Sequence, residues 1–540
     1  MFKDIVLLSI FLTFFSSCKK NTSDEKNNFT SDTSAYKPYT NPILPAHTDP
    51  SICRVGDDYY IAISSLEYFP GIPIFHSKDL INWRQIGNAF TRNSQVRLTK
   101  TYKIGGVFAP TIRYNNGLFY ITGSVYAEKQ GAYLIYAKDP SGPWSEPIKL
   151  VKGGIDQALF FDTDGTVYIT ENGEYKPNGG IFQYKIDLKS GKALTEKKLV
   201  WTGTGGTYPE GSRLFKRDKY YYLTIAEGGS EMGHYQTIAR SESPDGPFES
   251  YSRNPIISNV NAQGNPLQGA AHADFIEDHK GNWWVTFLAF RVRGYPYFHL
   301  LGRETCILPV TWTNDGWPLV GDDGVVRETS RGPLLAQKPW PTSPSLDSFD
   351  SQTIPLGYQM LRNPDFEQYS LTERKGWLRL KGSGKTLDDE STMAFLGKIQ
   401  QHYNFEANTM LDFNPIDLEE AGMTVRHGEE FHYEIAIGKE NNKRVIKTQY
   451  TIGLFKGTVS KEYIKEGPIK LQLRGTPDFY YFAYQQGNEP LKELGKCETK
   501  FLAIEVAGGF KPPYVGMYST GNKKESKAYA DFDYFEYMKK

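Results

Sequence analysis

One pattern of polar and hydrophobic residues occurs five times along the first half of the chain. A polar turn is followed by bulky residues and then by an aliphatic run, as in the segment from Gly56 to Ile61. A polar turn that leads into a buried apolar run is typical of a β-hairpin. One aromatic residue marks each copy, and these markers are Tyr60, Tyr120, Tyr168, Tyr222 and Trp284.

The markers follow one another at intervals of 48 to 62 residues. That interval suits one four-stranded blade of a β-propeller with its loops. In three copies a second polar turn leads to an aromatic residue 23 to 26 positions after the marker, at Trp83, Trp144 and Phe248. No long apolar pattern of helical period interrupts the copies. The sequence therefore predicts an all-β fold in which residues 41–332 form a five-bladed β-propeller.

A proline-rich stretch, 333–348, separates the repeats from the rest of the chain, and we interpret it as a linker between domains. Strand-like segments return after it. The run from Ala530 to Tyr537 alternates polar and aromatic residues, as a half-buried strand does. We expect residues 349–540 to form a β-sandwich.

The N-terminus has the composition of a targeting segment. Lys3 precedes an apolar run from Ile5 to Phe15, which is too short to cross a bilayer as a helix. The following Ser-Ser-Cys resembles a bacterial lipobox, so residues 1–18 are predicted to be a lipoprotein signal peptide with Cys18 as the lipidated residue. Residues 19–40 are polar and are predicted to be a disordered tether. We expect an exported protein, lipid-anchored in the periplasm or cell envelope of a Gram-negative bacterium.

Charge and cysteine content exclude some classes of function. The chain has 62 basic and 62 acidic residues, and a nucleic-acid-binding protein would show a basic excess. Cys53, Cys306 and Cys497 lack the spacing of metal ligands, and we expect them to be buried free thiols.

Counting back from the markers indicates a site. The residues 11 or 12 positions before each marker are Asp49, Phe108 or Ala109, Asp156, Glu210 and His272. Equivalent positions on the innermost strands of a propeller surround its central axis. Three acids and a histidine would therefore meet in one funnel. Because the burial of carboxylates without partners costs free energy, such a group suggests chemistry rather than packing.

Three acids suit the hydrolysis of a glycosidic bond. One must be protonated to donate to the leaving oxygen, and another must be ionised to activate water or attack the sugar. The third can raise the pKa of the proton donor by like-charge repulsion. Aromatic and arginine side chains would bind the faces and hydroxyl groups of the sugar.

At these residues the chain resembles glycoside hydrolase family 43, in its two-domain form with a β-xylosidase-type C-terminal sandwich. The resemblance rests on several short motifs dispersed from about residue 41 to the C-terminus. They include Asn41-Pro42-Ile43-Leu44, Asp49-Pro50-Ser51-Ile52, Gly154-Ile155-Asp156, Pro209-Glu210-Gly211, Gly269-Ala270-Ala271-His272 and Leu301-Gly302-Arg303-Glu304.

The resemblance implies a role for each candidate residue. Asp49 would be the general base, Glu210 the general acid, and Asp156 the residue that orients Glu210 and tunes its pKa, in a reaction that inverts the anomeric carbon. Arg303 would bind the terminal pentose. The further residues expected to contact substrate are His272, Phe108, Leu66, Phe69, Ser230, His234 and, from the second domain, Phe510. No cofactor is required, although a structural Ca²⁺ or Na⁺ ion beside His272 is compatible with the family.

Some positions depart from the xylosidases of the family. Those enzymes carry Trp-Ala-Pro-Asp where this chain has Phe108-Ala109-Pro110-Thr111, Phe at the position of Leu66 and Trp at that of Tyr68. Changes of this size in a subsite alter discrimination between sugars by about 1–3 kcal/mol. We therefore expect an exo-acting α-L-arabinofuranosidase that trims hemicellulose, such as arabinoxylan or xyloglucan, or its oligosaccharides.

Three alternatives remain open at this stage. A β-D-xylosidase would share the fold and mechanism. A non-catalytic glycan-binding lipoprotein would use the propeller only as a scaffold. A retaining fructan hydrolase would also combine a five-bladed propeller with a sandwich, but its two carboxyl groups would be about 5–5.5 Å apart.

Overall fold

A computed structural model describes residues 35–101, 104–151, 153–173 and 179–540. The predicted signal peptide 1–18 with its Cys18 lies outside the described residues, as does most of the predicted tether. Helices within the described part are short, namely the α-helix Ile504–Ala507 and the 3₁₀ turns Phe366–Gln368 and Thr499–Leu502. In this part of the chain no helix has the length and apolar character needed to cross a membrane.

Five antiparallel sheets follow one another along the chain and form the predicted propeller. Blade one consists of Ser51–Val55, Asp58–Ala62, Gly71–Ser77 and Arg84–Phe90. Blade two consists of Gly106–Asn115, Leu118–Tyr126, Gly131–Ala137 and Ile148–Lys149. Blade three consists of Ile155–Phe161, Val167–Asn172, Ile181–Lys185 and Lys198–Trp201.

Blades four and five complete the ring. Blade four consists of Glu210–Arg217, Tyr220–Glu227, Tyr235–Ser241, Glu249–Ser250 and the extra strand Ile257–Ser258. Blade five consists of Leu267–Glu277, Trp283–Arg291, Arg303–Trp312 and Pro318–Val320. All five sequence markers lie in the second strand of their blade, which confirms the repeat.

The propeller begins earlier than predicted. Lys37–Thr40 forms a strand that pairs with Thr329–Gly332, and the Tyr39 hydroxyl donates to the carbonyl of Ile307. The prediction that the disordered tether extends to residue 40 is therefore wrong for its last four residues. Their strand carries no repeat signal because its partner lies almost three hundred positions away.

The linker packs on blade one. Residues 333–345 contain no strand, but the Trp340 ring lies 3.8 Å from the Arg84 guanidinium and its N–H donates to the carbonyl of His76. Leu346–Asp347 already pairs with Tyr529–Lys539, so the second domain begins three residues earlier than predicted.

The second domain is the predicted β-sandwich. One sheet has, in spatial order, the strands Tyr369–Ser370, Leu378–Lys381, Tyr529–Lys539, Phe405–Asp412, Ile469–Gly475, Phe479–Gln486 and Lys492–Glu498. Leu346–Asp347 also pairs with Tyr529–Lys539. The other sheet has Ala394–Ile399, Glu420–Gly428, Phe431–Glu440, Lys443–Ile452, Phe455–Tyr463 and Tyr514–Thr520.

The two domains are joined by a shared strand pair and a shared core. Tyr68–Phe69, from blade one, pairs with Met360–Leu361 of the second domain. One cluster of buried apolar side chains continues from blades one and two into the sandwich. The three described cysteines are free and buried, as predicted.

Candidate active site

The innermost strand of every blade has the same irregularity at the same register. Each marker pairs with a residue on the innermost strand of its blade, and the residue four positions before that partner has a left-handed backbone. These residues are Asp49, Ala109, Asp156, Gly211 and His272, with φ of 55°, 31°, 59°, 59° and 61°. A left-handed conformation is costly for a residue with a side chain. In blades two to five it coincides with a β-bulge, a feature that redirects side chains near active sites. The five left-handed residues thus form one ring of equivalent positions.

Glu210 does not occupy the ring position that the residue count indicated. The structure places Gly211 there, and Glu210 is one residue earlier. The reason is hairpin length. Phe160 pairs with Tyr168 across eight positions in blade three, whereas Phe215 pairs with Tyr222 across seven in blade four. Counting back 12 positions from Tyr222 therefore reaches Glu210, one residue before the ring position.

Glycine at the ring position brings two predicted site residues together. The Gly211 N–H donates to Oδ2 of Asp156 over 3.0 Å. A Cβ atom on Gly211 would lie only 2.6 Å from Cδ2 of His272. Nε2 of His272 in turn lies 3.6 Å from Oδ2 of Asp156. The absence of a side chain in blade four thus leaves the space in which Asp156 and His272 meet.

Asp49, the predicted general base, is buried and held by three groups. Ser64 donates to its Oδ2 over 2.6 Å, Thr48 donates to its Oδ1 over 2.9 Å, and Arg303 Nη1 lies 3.4 Å from Oδ1. Burial alone raises the pKa of Asp49, but the nearby charges of His272 and Arg303 and the two hydroxyl donors outweigh it. The net pKa lies below its usual value, so Asp49 is ionised near neutral pH.

Glu210, the predicted general acid, has the opposite electrostatic balance. Its carboxyl is buried, and the neighbouring Asp156 carries a like charge. Burial first and Asp156 second raise the pKa of Glu210 to about 7, against opposing effects of His272 and Arg303. The Ser230 hydroxyl donates to its Oε1 over 3.2 Å. Glu210 therefore retains a proton at a pH at which Asp49 does not.

His272 stands between the two carboxylates of the ring. Burial lowers its pKa, but contact with Asp156 and the charge of Asp49 outweigh burial, and the net pKa is raised. Its Nδ1 has no hydrogen-bond partner among the described residues. Across the described ranges no group of three or more His, Cys, Asp or Glu side chains is arranged to hold a metal ion.

Arg303 connects the ring to the second domain. Besides Asp49, it contacts the carbonyl of Ser230, with Nη2 at 3.3 Å. Its guanidinium carbon lies 4.2 Å from the centre of the Phe510 ring, a cation–π distance. Phe510 belongs to the sandwich, so the structure places a residue of each domain at this end of the ring.

Two further predicted residues lie beside the acids or on the ring. His234 is buried, its Nε2 is 3.8 Å from Oε1 of Glu210, and burial lowers its pKa to about 3. That nitrogen has no hydrogen-bond partner within the described part of the chain. Phe108 immediately precedes the ring residue Ala109, is half-buried and meets Tyr126 edge-on at 5.4 Å.

Leu66, Tyr68 and Phe69, which the family comparison singled out, are all buried. Phe69 is buried in the core shared by the two domains, with its ring 6.2 Å from that of Phe366. Tyr68 stacks on Tyr514 of the sandwich at 3.6 Å. Leu66 is buried, and its backbone pairs with Val107. Leu66 and Tyr68 line a small cavity beside Thr48 and Ser64, whereas Phe69 lies in the core shared with the second domain. That Leu66 and Phe69 contact substrate stays a prediction.

Some of the groups that support the ring were not indicated by any repeat or motif considered above. Ser64 accepts a hydrogen bond from the Ala109 N–H while it donates to Asp49, and so links two ring positions. Farther along the inner strands, Arg113 forms a bidentate pair with Asp274 at 2.8 and 3.0 Å. The Ala-His-Ala-Asp motif was a usable signal, since Asp274 follows His272 at a spacing of two and therefore lies on the same strand.

Comparison with known proteins agrees with this geometry. The profile of Glycosyl hydrolases family 43 matches residues 39–318, and that of the Beta xylosidase C-terminal Concanavalin A-like domain matches residues 346–538. A non-reducing end alpha-L-arabinofuranosidase of Bacteroides ovatus is 39% identical over 510 residues, which are 93% of this chain and 95% of that protein. A xylosidase/arabinosidase of Butyrivibrio fibrisolvens is 36% identical, over 92% of this chain and 98% of that protein.

A solved structure agrees as well. Xyloglucan PUL GH43B of Bacteroides ovatus superposes with a TM-score of 0.90 at 37% identity, and the match covers 93% of this chain and 100% of that chain. The two profiles account for both observed domains, the propeller and the concanavalin-like sandwich. The chain is a glycosidase and belongs to glycosyl hydrolases family 43.

Proposed function

We propose that this glycosidase is an exo-acting, inverting α-L-arabinofuranosidase that removes terminal arabinofuranosyl residues from hemicellulose side chains, such as those of arabinoxylan or xyloglucan, or from their oligosaccharides. One observation supports the chemistry above all: two buried carboxyl groups of one site, Asp49 and Glu210, have pKa values displaced in opposite directions. A base and an acid are thereby available at the same pH.

The proposed reaction is a single displacement. Asp49 accepts a proton from water as the water oxygen attacks the anomeric carbon. Glu210 donates its proton to the glycosidic oxygen as the bond from that oxygen to the anomeric carbon breaks. The products are the free sugar, with inverted configuration, and the shortened glycan with a new hydroxyl. A second turnover requires only that Asp49 lose a proton and Glu210 regain one, so the reaction needs no net change in the protein.

The other site residues bind and orient. Asp156 accepts a hydrogen bond from the Gly211 N–H, and its negative charge raises the pKa of the adjacent Glu210. Arg303, already placed between Asp49 and Phe510, would bind the terminal sugar. Phe510, which the second domain places over Arg303, would close one side of the site and so favour a chain end over an internal bond.

The arabinofuranosyl assignment is supported by the Bacteroides ovatus relative and by Phe108, which stands where xylosidases of the family carry Trp. The test is a matched pair of aryl glycosides, α-L-arabinofuranosyl and β-D-xylosyl, measured with one enzyme preparation. We expect kcat/KM to be at least about tenfold higher for the arabinofuranoside, the scale of one altered subsite contact. Preferential release of xylose would reject the assignment.

A β-D-xylosidase is the second candidate. The β-xylosidase-type second domain and the two activities in the name of the Butyrivibrio fibrisolvens relative favour it. Proton NMR of the anomer formed first distinguishes both candidates from a retaining enzyme such as a fructan hydrolase. The proposal requires the inverted anomer, and the retained anomer would reject it.

We further propose export as a lipoprotein of the Gram-negative periplasm or cell envelope, on the basis of the lipobox-like sequence that ends at Cys18. Metabolic labelling with a fatty acid should mark the wild type and not Cys18→Ala. We also propose that hydrolysis requires no cofactor, because Asp49 and Glu210 supply the base and the acid that the reaction needs. Activity should survive dialysis against EDTA in sodium-free buffer, and a loss restored by Ca²⁺ or Na⁺ would contradict this.

A further inference from the structure

The segment that carries Phe510 begins with a short helix and a sharp glycine turn. The short helix Ile504–Ala507 is followed by Gly508 and Gly509, both with left-handed φ, and then by Phe510. Two consecutive left-handed glycines make a sharp turn but do not by themselves fix its direction, because glycine is conformationally permissive. The direction of the Phe510 ring must therefore be set by contacts on either side of the glycines.

After Phe510, the chain is held by a buried charge pair between the two domains. The Lys511 ammonium contacts Oε1 of Glu67, and both side chains are fully or almost fully buried. Glu67 follows Leu66 on the blade-one loop that also carries Ser64, the donor to Asp49. Arg426 lies 4.0 Å from the same oxygen of Glu67 and is itself paired with Glu429 at 2.7 Å.

Before Phe510, a second pair holds the segment to blade five. Both oxygens of Glu505 are engaged by His299, the Nδ1 atom at 2.5 Å and the backbone N–H at 2.9 Å. His299 is buried and stacks on Phe290 at 4.2 Å, and Phe290 is the strand partner of Arg303. Through His299 and Phe290, the pair therefore fixes the position of the segment relative to the strand that carries Arg303.

The backbone of the segment packs tightly against the residue before Arg303. Gly302 directly precedes Arg303, and a Cβ atom on it would lie 2.6 Å from the Pro512 nitrogen and 2.8 Å from the Lys511 carbonyl carbon. A shift of Lys511 would thus displace either the start of the Arg303 strand or the Phe510 ring.

We propose that Lys511 with Glu67, and Glu505 with His299, are positioning residues that hold Phe510 over Arg303. The sandwich then sets the position of the sugar-binding arginine, although it supplies none of the three acids. Burying a lysine and a glutamate is costly unless they are paired, and a buried pair contributes specificity of arrangement more than stability. This inference rests on the proposed hydrolysis for its kinetic readout but not for its structural one.

The test replaces the buried pair as a unit. In Glu67→Met/Lys511→Met the two opposite charges are removed together, so the net charge of the buried cluster does not change. Arg426 keeps Glu429, which it shares with the buried Arg362. We expect KM for the better aryl glycoside to rise about tenfold with kcat changed less than about threefold, as for lost ground-state and transition-state binding alike. Adding Phe510→Ala should cause no further loss beyond that of Phe510→Ala alone, because residues that act through one another are not additive.

A second readout needs no substrate. Hydrogen–deuterium exchange of the peptides that cover residues 500–513 should accelerate at least about tenfold in Glu67→Met/Lys511→Met. The matched control is Asp478→Asn, which removes the exposed interdomain pair with Arg293 at 4.0 Å and should change neither readout. If the double variant does not fold, Glu505→Gln tests the other pair with the same measurements.

Unchanged exchange in this segment, or losses that multiply with Phe510→Ala, would overturn the inference. If the wild type cleaves neither glycoside, the proposed function fails, and hydrogen exchange still decides whether these pairs hold the Phe510 segment.

Discussion

Gly211 and His272 lie against each other with no room for a side chain between them: a Cβ on Gly211 would come within 2.6 Å of the imidazole. We predict that Gly211→Ala destabilises the protein by about 2 kcal/mol or more, because it combines a left-handed backbone with a steric clash. Gly56→Ala is the control, with a similar φ of 61° and no atom within 4 Å. It should cost only about 1 kcal/mol. Equal shifts in the denaturant midpoints of the two variants would contradict this account.

The role of Glu210 predicts a dependence on the leaving group. Glu210→Gln cannot donate a proton, so kcat/KM for an unactivated oligosaccharide should fall about 10²–10⁴-fold. The fall should be much smaller for a nitrophenyl glycoside, whose leaving group needs little protonation. Glu249→Gln, an exposed change in the same blade, should leave both rates unaltered. A loss of the same size with both substrates would argue that Glu210 acts other than as the acid.

Asp49→Asn should behave differently. The base activates water whichever group departs, so we expect a fall of about 10²–10⁴-fold with both substrates. Added azide, an anionic nucleophile that needs no base, should restore part of the turnover of the nitrophenyl glycoside. Azide should not help Glu210→Gln with the unactivated oligosaccharide, because departure of that leaving group remains unassisted. Rescue of the two variants in the reverse pattern would exchange the proposed roles.

The electrostatics of the site predict the pH profile. Activity requires ionised Asp49, whose pKa is lowered, and protonated Glu210, whose pKa is raised to about 7. The profile of kcat/KM should therefore fall on its alkaline side near pH 7. Burial is the main cause of the raised pKa and the charge of Asp156 the second. Removing that charge in Asp156→Asn lowers the pKa of Glu210, so the alkaline limb should move to lower pH. An alkaline limb that stays in place, or moves to higher pH, would show that Asp156 does not tune Glu210.

The blades could be predicted from the sequence because each is local. A turn, a bulky marker and an aliphatic run recur within a single hairpin, and the markers Tyr60 and Trp284 alike lie where the repeat placed them. The ring register was less predictable. It depends on whether a hairpin is seven or eight positions long, and that difference moved Glu210 off the ring.

Contacts between distant parts of the chain carried almost no local signal. Lys511 and Glu67 are separated by 444 positions, and neither stands in a pattern that marks it as buried or paired. Tyr68 and Phe69 drew attention through the family resemblance, and no local pattern showed that both side chains pack against the second domain. Phe510 was anticipated from the family resemblance and not from its surroundings in the sequence.

The pairing of Lys37–Thr40 with Thr329–Gly332 can form only after residue 332 has been synthesised, and the active site is completed late for the same reason. Asp49 and Arg303, which meet in the site, are 254 positions apart, and Phe510 is made later still. Contacts of such long sequence separation form late in folding. A nascent chain therefore contains all three acids well before it has a place to bind a sugar. Turnover thus reports that both domains have folded together. A chain that is truncated before Arg303 should be inactive although it retains Asp49, Asp156 and Glu210.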